Sequence, residues 1–196
     1  MPVDWEDRYQ NGAVARAEPA AVLADNAHLL PGRGRALDLA CGLGGNAVLL
    51  ARAGLDTCAW DSSKAAIGKL RAYAREQDLP LAAEVRDVVA APPEPDAFDV
   101  IAVSRFLERD LVPALIGALR PDGVLFYQTF TRTRVSDRGP RSDRFRLADN
   151  ELLRLFAPLR VVVYREEGRV GDLTRGARDE ARLVAYRPGD GEGASA

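Results

Sequence analysis

Two kinds of hydrophobic spacing alternate along the chain. Short apolar runs have the length of buried strands and lie at about 35–40, 55–60, 81–86, 98–103, 124–129, 159–165 and 181–187. Between them, apolar residues recur at helical spacing, which predicts helices at about 19–30, 45–53, 63–77, 108–119 and 147–156. Strands that alternate with helices are typical of a largely parallel sheet with helices on both faces. The pattern therefore predicts an α/β fold.

The chain is predicted to form one domain with short extensions. Residues 1–30 are expected to be an N-terminal arm and helix of that domain, residues 31–187 its main part, and residues 188–196 a disordered tail. Trp5 and Tyr9 in the arm have two interpretations, a cover over a bound ligand or an anchor on the core. An aromatic residue near a terminus is commonly an anchor, and this role is slightly favoured.

Composition and charge narrow the possible functions. The chain has 196 residues, 47% of them apolar, and a net charge of −2, which fits one globular domain without an overall attraction for nucleic acid. No apolar stretch is long enough to span a bilayer. The acidic start argues against a secretory signal, so we expect a cytoplasmic protein, either a monomer or a homodimer. The two cysteines and single histidine lack the spacing of a metal site.

The most informative segment is 36–50, where a predicted strand leads into a glycine turn and a helix. Its small and polar residues are Asp38, Gly42, Gly44 and Asn46. Glycines let the backbone approach a ligand closely. A second acid, Asp61, ends the next apolar run and is placed to accept hydrogen bonds from two ribose hydroxyls. The segment suits a ligand that carries an adenosine and a charged amino-acid tail.

These residues resemble the class I S-adenosylmethionine-dependent methyltransferases, whose first strand and turn read acid-x-Gly-x-Gly-x-Gly. Here the motif is Asp38-Leu-Ala40-Cys-Gly42-Leu-Gly44, with Ala40 in place of the first glycine, a mild change because alanine is small. Further matches follow in order and cover about residues 30 to 130: Trp60-Asp61-Ser62-Ser63, Asp87-Val88, Phe98 to Ser104 and Leu119-Arg-Pro-Asp-Gly123. The resemblance implies a Rossmann-like three-layer sandwich, with a seven-stranded, mostly parallel sheet and an antiparallel C-terminal strand.

The resemblance also implies that S-adenosylmethionine is the methyl donor. Its expected binding residues are Asp38, Ala40, Gly42, Gly44, Asn46, Asp61, Ser62, Asp87, Val88 and Ser104. Asp38 would organise the turn or help to hold the donor's ammonium group. Three of the acids have simpler interpretations as well, since Asp38 could be a capped turn carboxylate, Asp61 could cap a helix and Asp87 could be an ordinary loop acid. Val88 would lie against the adenine.

Two other functions compete with this one. Gly42-x-Gly44-x-x-Ala47 also fits the looser fingerprint of a nicotinamide dinucleotide fold. The carboxylate of Asp38 argues against that ligand, because it would lie beside a pyrophosphate, whereas it suits an ammonium group. The remaining alternative is a module that binds an adenosyl ligand without catalysis.

The expected acceptor site lies at the carboxyl ends of the later strands, where ligands of open α/β sheets bind. Ser104, Arg105 and Thr129 are the catalytic candidates there. The following segment 132–146 holds six arginines against two aspartates, a net charge of +4, and lacks apolar periodicity, so it is predicted to be a long loop. Arginines at 169, 175 and 178 occupy the loop after the sixth strand. Two such loops indicate a small polar or anionic acceptor, or simply a solvated surface.

Within the family, the likeness is to small single-domain enzymes of the tellurite-resistance and thiopurine methyltransferase type. It depends on the Trp5-x-x-x-Tyr9 start, on Trp60-Asp61-x-Ser63 and on Phe126-Tyr-x-Thr-Phe130. No histidine accompanies the arginines at the expected acceptor edge, which argues against tellurite as the acceptor.

Overall fold

A computed structural model describes Tyr9 and residues 12–189. Trp5 and most of the predicted tail therefore lie outside the described residues. The strands are β1 (Arg35–Leu39), β2 (Asp56–Asp61), β3 (Leu81–Val85), β4 (Phe98–Ser104), β5 (Leu119–Phe130), β6 (Arg160–Arg165) and β7 (Glu180–Tyr186). The α-helices are α1 (Ala21–Ala24), α2 (Gly45–Arg52), α3 (Lys64–Glu76), α4 (Val112–Ala118) and α5 (Glu151–Leu155).

The strands form one seven-stranded sheet in the order β3-β2-β1-β4-β5-β7-β6. Strands β1 to β5 pair in parallel, whereas β7 runs antiparallel to both of its neighbours, β5 and β6. The predicted Rossmann-like fold with an antiparallel C-terminal strand is confirmed. The chain leaves β1 toward β2 and later returns to the other side of β1 as β4, so a crevice opens at the carboxyl ends of β1 and β4.

Alternating strand residues face opposite sides of the sheet and build two cores. Leu37 and Ile101 are fully buried in a cluster with residues of α4 and α5. Ala36 and Val100 are buried on the other face with residues of α1 and α2. The helices therefore cover both faces, as the hydrophobic pattern predicts. Within the described residues, no helix has the length and apolar character needed to cross a membrane.

Two predicted helices are shorter than the pattern indicates. The segment 19–30 forms only α1 and a separate 3₁₀ turn at Ala27–Leu29, because the side chain of Asn26 donates to the carbonyl of Val22 (2.9 Å) and competes with the helical pattern. The segment 147–156 becomes helical only at α5, because Leu147 forms a parallel bridge with Thr131.

Strand β5 is longer than predicted, since it begins at Leu119 rather than Val124. The segment that resembles the family's turn before the fifth strand lies inside the strand as an irregularity, where the register against β4 shifts. Asp122 adopts a φ of 64° there, and its N–H donates to the carbonyl of Arg187 (2.7 Å). The turn is thus absorbed as a bulge rather than preceding the strand.

Ala40 follows β1 directly and has a φ of 55°, in the left-handed region. An L-residue with a Cβ is disfavoured there by about 1–2 kcal/mol. The alanine that replaces the family's glycine is therefore not a mild change, as its small size alone suggests, because the backbone rather than the available space makes glycine the favoured residue.

The arginine-rich segment 132–146 is a folded loop. Its last residue, Arg146, has no exposed surface and donates from Nε to the carbonyl of Pro140 (2.6 Å), from Nη1 to that of Thr131 (2.8 Å) and from Nη2 to that of Arg138. Burial lowers the pKa of this guanidinium. Arg146 therefore stabilises the loop from inside, and its guanidinium is not accessible to an acceptor molecule.

The sheet ends at β6, an edge strand with an irregular register. Val161 and Val162 are exposed, and the pairing with β7 shifts between Val161 and Val163. A bulge of this kind increases the local twist of an edge strand.

We expect Arg146→Lys to destabilise the protein and open the loop. A lysine ammonium cannot reach three carbonyls in the directions that a planar guanidinium reaches, and each buried carbonyl left without a donor costs about 1–3 kcal/mol. The free energy of urea unfolding should fall, and amide exchange in 132–146 should accelerate. Arg141→Lys, at an exposed position in the same loop, is the matched control and should change neither. Equal behaviour of the two variants would contradict the structural role of Arg146.

Candidate functional site

The glycine turn between β1 and α2 has the backbone that its glycines allow. Gly42 and Gly44 have φ values of 53° and 78°. A Cβ placed on Gly42 would lie 2.8 Å from the hydroxyl of Tyr9, and one on Gly45 would lie 2.4 Å from the carbonyl of Glu18. The turn is therefore closely approached by the N-terminal segment.

Asp38 organises this turn from below. Its carboxylate is 1% exposed and accepts hydrogen bonds from the side chain of Asn46 (3.2 Å) and the N–H of Ala47 (2.9 Å). Burial raises the pKa of Asp38 to about 7, against the opposing effect of these two hydrogen bonds and with a small contribution from the charge of Asp61. Asp38 is thus hydrogen-bonded to the start of α2 and organises the turn.

Asn46 joins three parts of the chain at the carboxyl edge of the sheet. Its side-chain oxygen accepts from the N–H of Ala20 (2.8 Å), and its amide nitrogen lies 3.2 Å from both Asp38 Oδ1 and Ser104 Oγ. The side chain is fully engaged and 5% exposed. Asn46 thus connects β1, β4 and the segment before α1.

Asp61 ends β2 beside the glycine turn. One carboxylate oxygen accepts from the N–H of Gly42 (2.8 Å) and the other from the N–H of Ser63 (2.9 Å). Ser63, rather than Ser62, caps α3 by accepting from Ala66. Each oxygen of Asp61 keeps a further acceptor position, because a carboxylate oxygen can accept two hydrogen bonds. Ser62 is exposed next to it.

Asp87 and Val88 follow β3 close to Asp61. The N–H of Arg86 donates to the backbone carbonyl of Asp61 (2.9 Å), which holds this loop against the end of β2. The carboxylate of Asp87 is exposed and accepts from the N–H groups of Val89 (3.0 Å) and Ala90 (3.2 Å). Val88 is buried in the core cluster that contains Trp60.

Tyr9 lies against the glycine turn and is also tied to α3. Lys69 Nζ donates to the carbonyls of Tyr9 and Gly12, both at 2.8 Å. The residue is thus both attached to the fold and adjacent to Gly42, and both interpretations of the aromatic arm remain compatible with its position.

The three catalytic candidates differ in accessibility. Ser104 is half-buried at the end of β4, and Arg105 is exposed with a φ of 55°, its N–H donating to the carbonyl of Gln128 (2.8 Å). Thr129 is 1% exposed. The structure brings Ser104 and Arg105 together at the sheet edge, while the side chain of Thr129 is enclosed.

Gln128 and Glu180 are polar residues of this edge that sequence reasoning missed. Gln128 accepts from the N–H of Val22 (2.8 Å) and donates to Glu180 Oε2 (2.7 Å). Both residues are at most 5% exposed. The sequence held one signal for each residue. Gln128 is a polar residue near the end of the apolar strand that contains Phe126, and Glu180 is a polar residue at the start of the strand that contains Leu183. Among the described residues, no group of three or more metal-ligating side chains occurs.

Comparison with known proteins shows which proteins this chain is similar to. Residues 36–123 match a family model described as a methyltransferase domain. The chain is 32% identical over 110 residues to the ubiquinone biosynthesis O-methyltransferase of Methylococcus capsulatus, an alignment that covers 53% of this chain and 46% of the relative. The chain spans less than half the length of the curated relatives that it matches.

Solved structures share the fold. TehB from Haemophilus influenzae superposes with a TM-score of 0.72 at 21% identity, over 93% of this chain and 67% of TehB. An S-adenosylmethionine-dependent methyltransferase from Mesorhizobium loti gives a TM-score of 0.65 at 18% identity, over 86% of this chain and 98% of the other. At these identities the likeness is one of fold.

The family match spans the glycine turn, Asp61 and Asp87. Residues 36–123 are therefore similar to the methyltransferase-domain family, and this similarity favours a methyl donor over a nicotinamide dinucleotide.

Proposed function

We propose that this protein transfers a methyl group from S-adenosylmethionine to a small polar or anionic acceptor. The proposal is carried by one observation, namely that the donor turn and a cluster of exposed arginines border the same carboxyl edge of the sheet. We also propose that residues 31–187 form the catalytic unit, with residues 1–30 as an arm and helix of the same domain. A cytoplasmic location is part of the same proposal.

The residues at the donor turn fit the nucleoside. Asp61 has one free acceptor position on each carboxylate oxygen, which matches two ribose hydroxyls. The Asp87 loop is held against the end of β2 by the hydrogen bond between Arg86 and Asp61. Gly42, Gly44 and Ala40 present backbone rather than bulky side chains. Ser62 and Val88 adjoin these groups, and Asn46 supports the turn from the side.

Bound S-adenosylmethionine supplies a methyl group that is already activated on a sulfonium. The protein then contributes mainly by holding the acceptor close and aligned, for which an in-line displacement is the expected geometry. Asp38 places a carboxylate behind the turn, where low dielectric strengthens its attraction for the donor's ammonium group. Asn46 and Ser104 align the donor turn with β4, and Arg105 projects from the acceptor side.

Charge at the acceptor edge supports an anionic or polar substrate. Exposed arginines at this edge of the sheet include those at 105, 132, 134, 138, 141 and 144. Guanidinium groups bind carboxylates and phosphates with two parallel hydrogen bonds. Few aromatics lie among these arginines, with Phe145 the one inside the loop, and this composition argues against a nucleic-acid surface. The O-methyltransferase relative supports a small-molecule acceptor.

Calorimetric titration with S-adenosylhomocysteine, with nicotinamide dinucleotides in parallel, tests the donor assignment. Binding of the nucleoside alone, followed by methylation in a screen of anionic acceptors, is the expected result. Binding without methylation of any acceptor would favour a non-catalytic module. Nicotinamide binding alone would overturn the proposal.

Asp61→Ala should weaken S-adenosylhomocysteine binding by at least about tenfold, since a hydrogen bond to a charged group contributes about 1.5–3 kcal/mol. Asp56→Ala removes a carboxylate from the opposite, exposed end of the same strand and is the matched control. Circular dichroism of both variants checks that the fold is retained. Unchanged donor affinity in Asp61→Ala would remove the ribose assignment.

The raised pKa of Asp38, about 7, predicts that donor affinity depends on pH. The positively charged ammonium group of the donor is attracted more strongly by the ionised form of the Asp38 carboxyl group. Donor affinity should therefore rise by about tenfold between about pH 6 and about pH 8, as Asp38 loses its proton. Asp38→Asn cannot ionise and should abolish this dependence. A pH-independent affinity in the wild type would restrict Asp38 to a structural role.

Stability should change in the opposite direction, between the unfolded and the folded pKa of Asp38. The folded pKa of Asp38 lies above the unfolded value of 3.8, so between these values the folded state binds the proton and the unfolded state does not. The contribution of this group to the unfolding free energy therefore falls as pH rises toward 7. Urea titrations of the wild type and Asp38→Asn at several pH values separate this effect from those of other groups.

A further inference from the structure

Glu180 is a buried acid with an unused oxygen. Its side chain is 6% exposed, and Oε1 is enclosed without a hydrogen-bond partner among the residues that the structure describes. A buried acceptor left unpaired is costly, and such groups commonly have a functional reason. Glu180 begins β7 opposite Phe130, at the carboxyl end of β5. The unused oxygen therefore belongs to the edge of the sheet where the ligands of this fold class bind.

The other oxygen of Glu180 connects it to the donor side. Gln128 donates to Oε2 (2.7 Å) and accepts from the N–H of Val22 (2.8 Å). Gln128 is also the register partner of Ser104 on β4. Two residues before Val22, the N–H of Ala20 donates to Asn46 beside the donor turn. Glu180 is thus connected to the donor turn through Gln128, the backbone from Val22 to Ala20, and Asn46.

In the part of the chain that the structure describes, Arg138 is the cation within ion-pair range of the unused oxygen. Its Nη2 lies 3.9 Å from Oε1, within ion-pair range but beyond a hydrogen bond, and its side chain is 61% exposed. Arg138 therefore faces both the buried carboxylate and the solvent. A group bound at the exposed guanidinium of Arg138 would therefore lie next to the enclosed Oε1.

The backbone of Arg138 is held in place although its side chain is exposed. Its carbonyl accepts from the buried Arg146, and its N–H donates to Ser136 Oγ (3.2 Å). Asp179, the residue before Glu180, accepts from Ser136 N (3.1 Å), Ser136 Oγ (2.5 Å) and Val135 N. Burial alone would raise the pKa of Asp179, but these hydrogen bonds outweigh it and keep the pKa below its usual value. The segment that carries Arg138 is thus attached to the residue adjoining Glu180.

We propose that Glu180 and Arg138 together recognise the methyl acceptor, which is a small molecule with a hydroxyl group beside an anionic group. The inference rests on the proposed methyltransferase function and names its substrate class. The hydroxyl donates to Glu180 Oε1, and the anion binds the guanidinium of Arg138. A carboxylate base is most useful to a hydroxyl nucleophile, because a hydroxyl is far less ionised at neutral pH than a thiol.

In the chemical step, the acceptor hydroxyl gives its proton to Glu180 Oε1. Its oxygen lone pair forms the new bond to the methyl carbon, and the bond from that carbon to the donor sulfur breaks with its electron pair remaining on sulfur. The products are a methyl ether, a neutral thioether and a protonated Glu180, which returns its proton to solvent. The step needs no oxidant or reductant.

Two variants and one control test the pair. Glu180→Gln keeps the shape and an acceptor oxygen but cannot take a proton, and it should lower kcat by about 100-fold with little change in KM. Arg138→Gln should raise KM by about tenfold for anionic acceptors and leave KM for uncharged ones unchanged. Arg33→Gln, at an exposed arginine in the turn before β1 and at the opposite edge of the sheet, should match the wild type. The acceptors are hydroxybenzoates, hydroxycinnamates and aliphatic hydroxy acids, with their uncharged amides and with anionic thiols for comparison.

Titration of each variant with S-adenosylhomocysteine separates the two levels of the proposal. If the wild-type protein does not bind S-adenosylhomocysteine, the proposed function is wrong. Normal donor binding with methylation of anionic hydroxyl acceptors, impaired by Glu180→Gln and Arg138→Gln, is the expected result. Methylation that neither variant impairs, or that is confined to thiols or uncharged acceptors, would overturn the assignment of the pair. Donor binding without methylation of any acceptor in the panel would also overturn it.

Discussion

The contacts of Asn46 are the interaction on which the rest of the site depends. One amide side chain is hydrogen-bonded to β1 through Asp38, to β4 through Ser104 and to the N-terminal segment through Ala20. These elements are far apart in sequence and meet where the strand order reverses. Because the Asn46 side chain is almost fully buried, the geometry of its hydrogen bonds is strongly coupled to the packing around it. The position of the donor turn relative to the acceptor edge is therefore set before any ligand binds.

The sheet and the donor turn could be predicted from sequence because both depend on local patterns. Parallel strands buried on both faces give continuous apolar runs, and the predicted limits of β1, β2, β3 and β4 differ from the structure by about one residue. The spacing of Asp38, Gly42, Gly44 and Asp61 is likewise local, since it lies within one strand-turn-helix-strand unit. The helices were predicted less well where a side chain or a bridge competes for backbone groups, as at Asn26 and Leu147.

The acceptor side could not be predicted in the same way, because the roles of its residues depend on contacts between segments that are distant in sequence. Nothing in the arginine-rich stretch distinguishes Arg146, which is buried, from Arg138, which is exposed. Thr129 ends an apolar strand at the expected edge, but whether it is enclosed depends on what packs over it. Gln128 and Glu180 are 52 residues apart in sequence, and their pairing follows from the antiparallel β7. The left-handed backbone conformation of Ala40 could not be predicted either, because a sequence motif shows the size of a side chain but not the φ angle of its residue.

The irregular edge strand β6 has a consequence for how copies of the protein meet. A straight strand with two exposed valines would offer its free backbone groups to the same strand of another copy, and the sheet could then grow from molecule to molecule. The register shift at Val161 to Val163 interrupts the even row of donors and acceptors, and Arg160 and Arg165 place like charges at both ends of the strand. In this way, the edge of the sheet nearest the acceptor loops resists intermolecular strand pairing while remaining open to solvent.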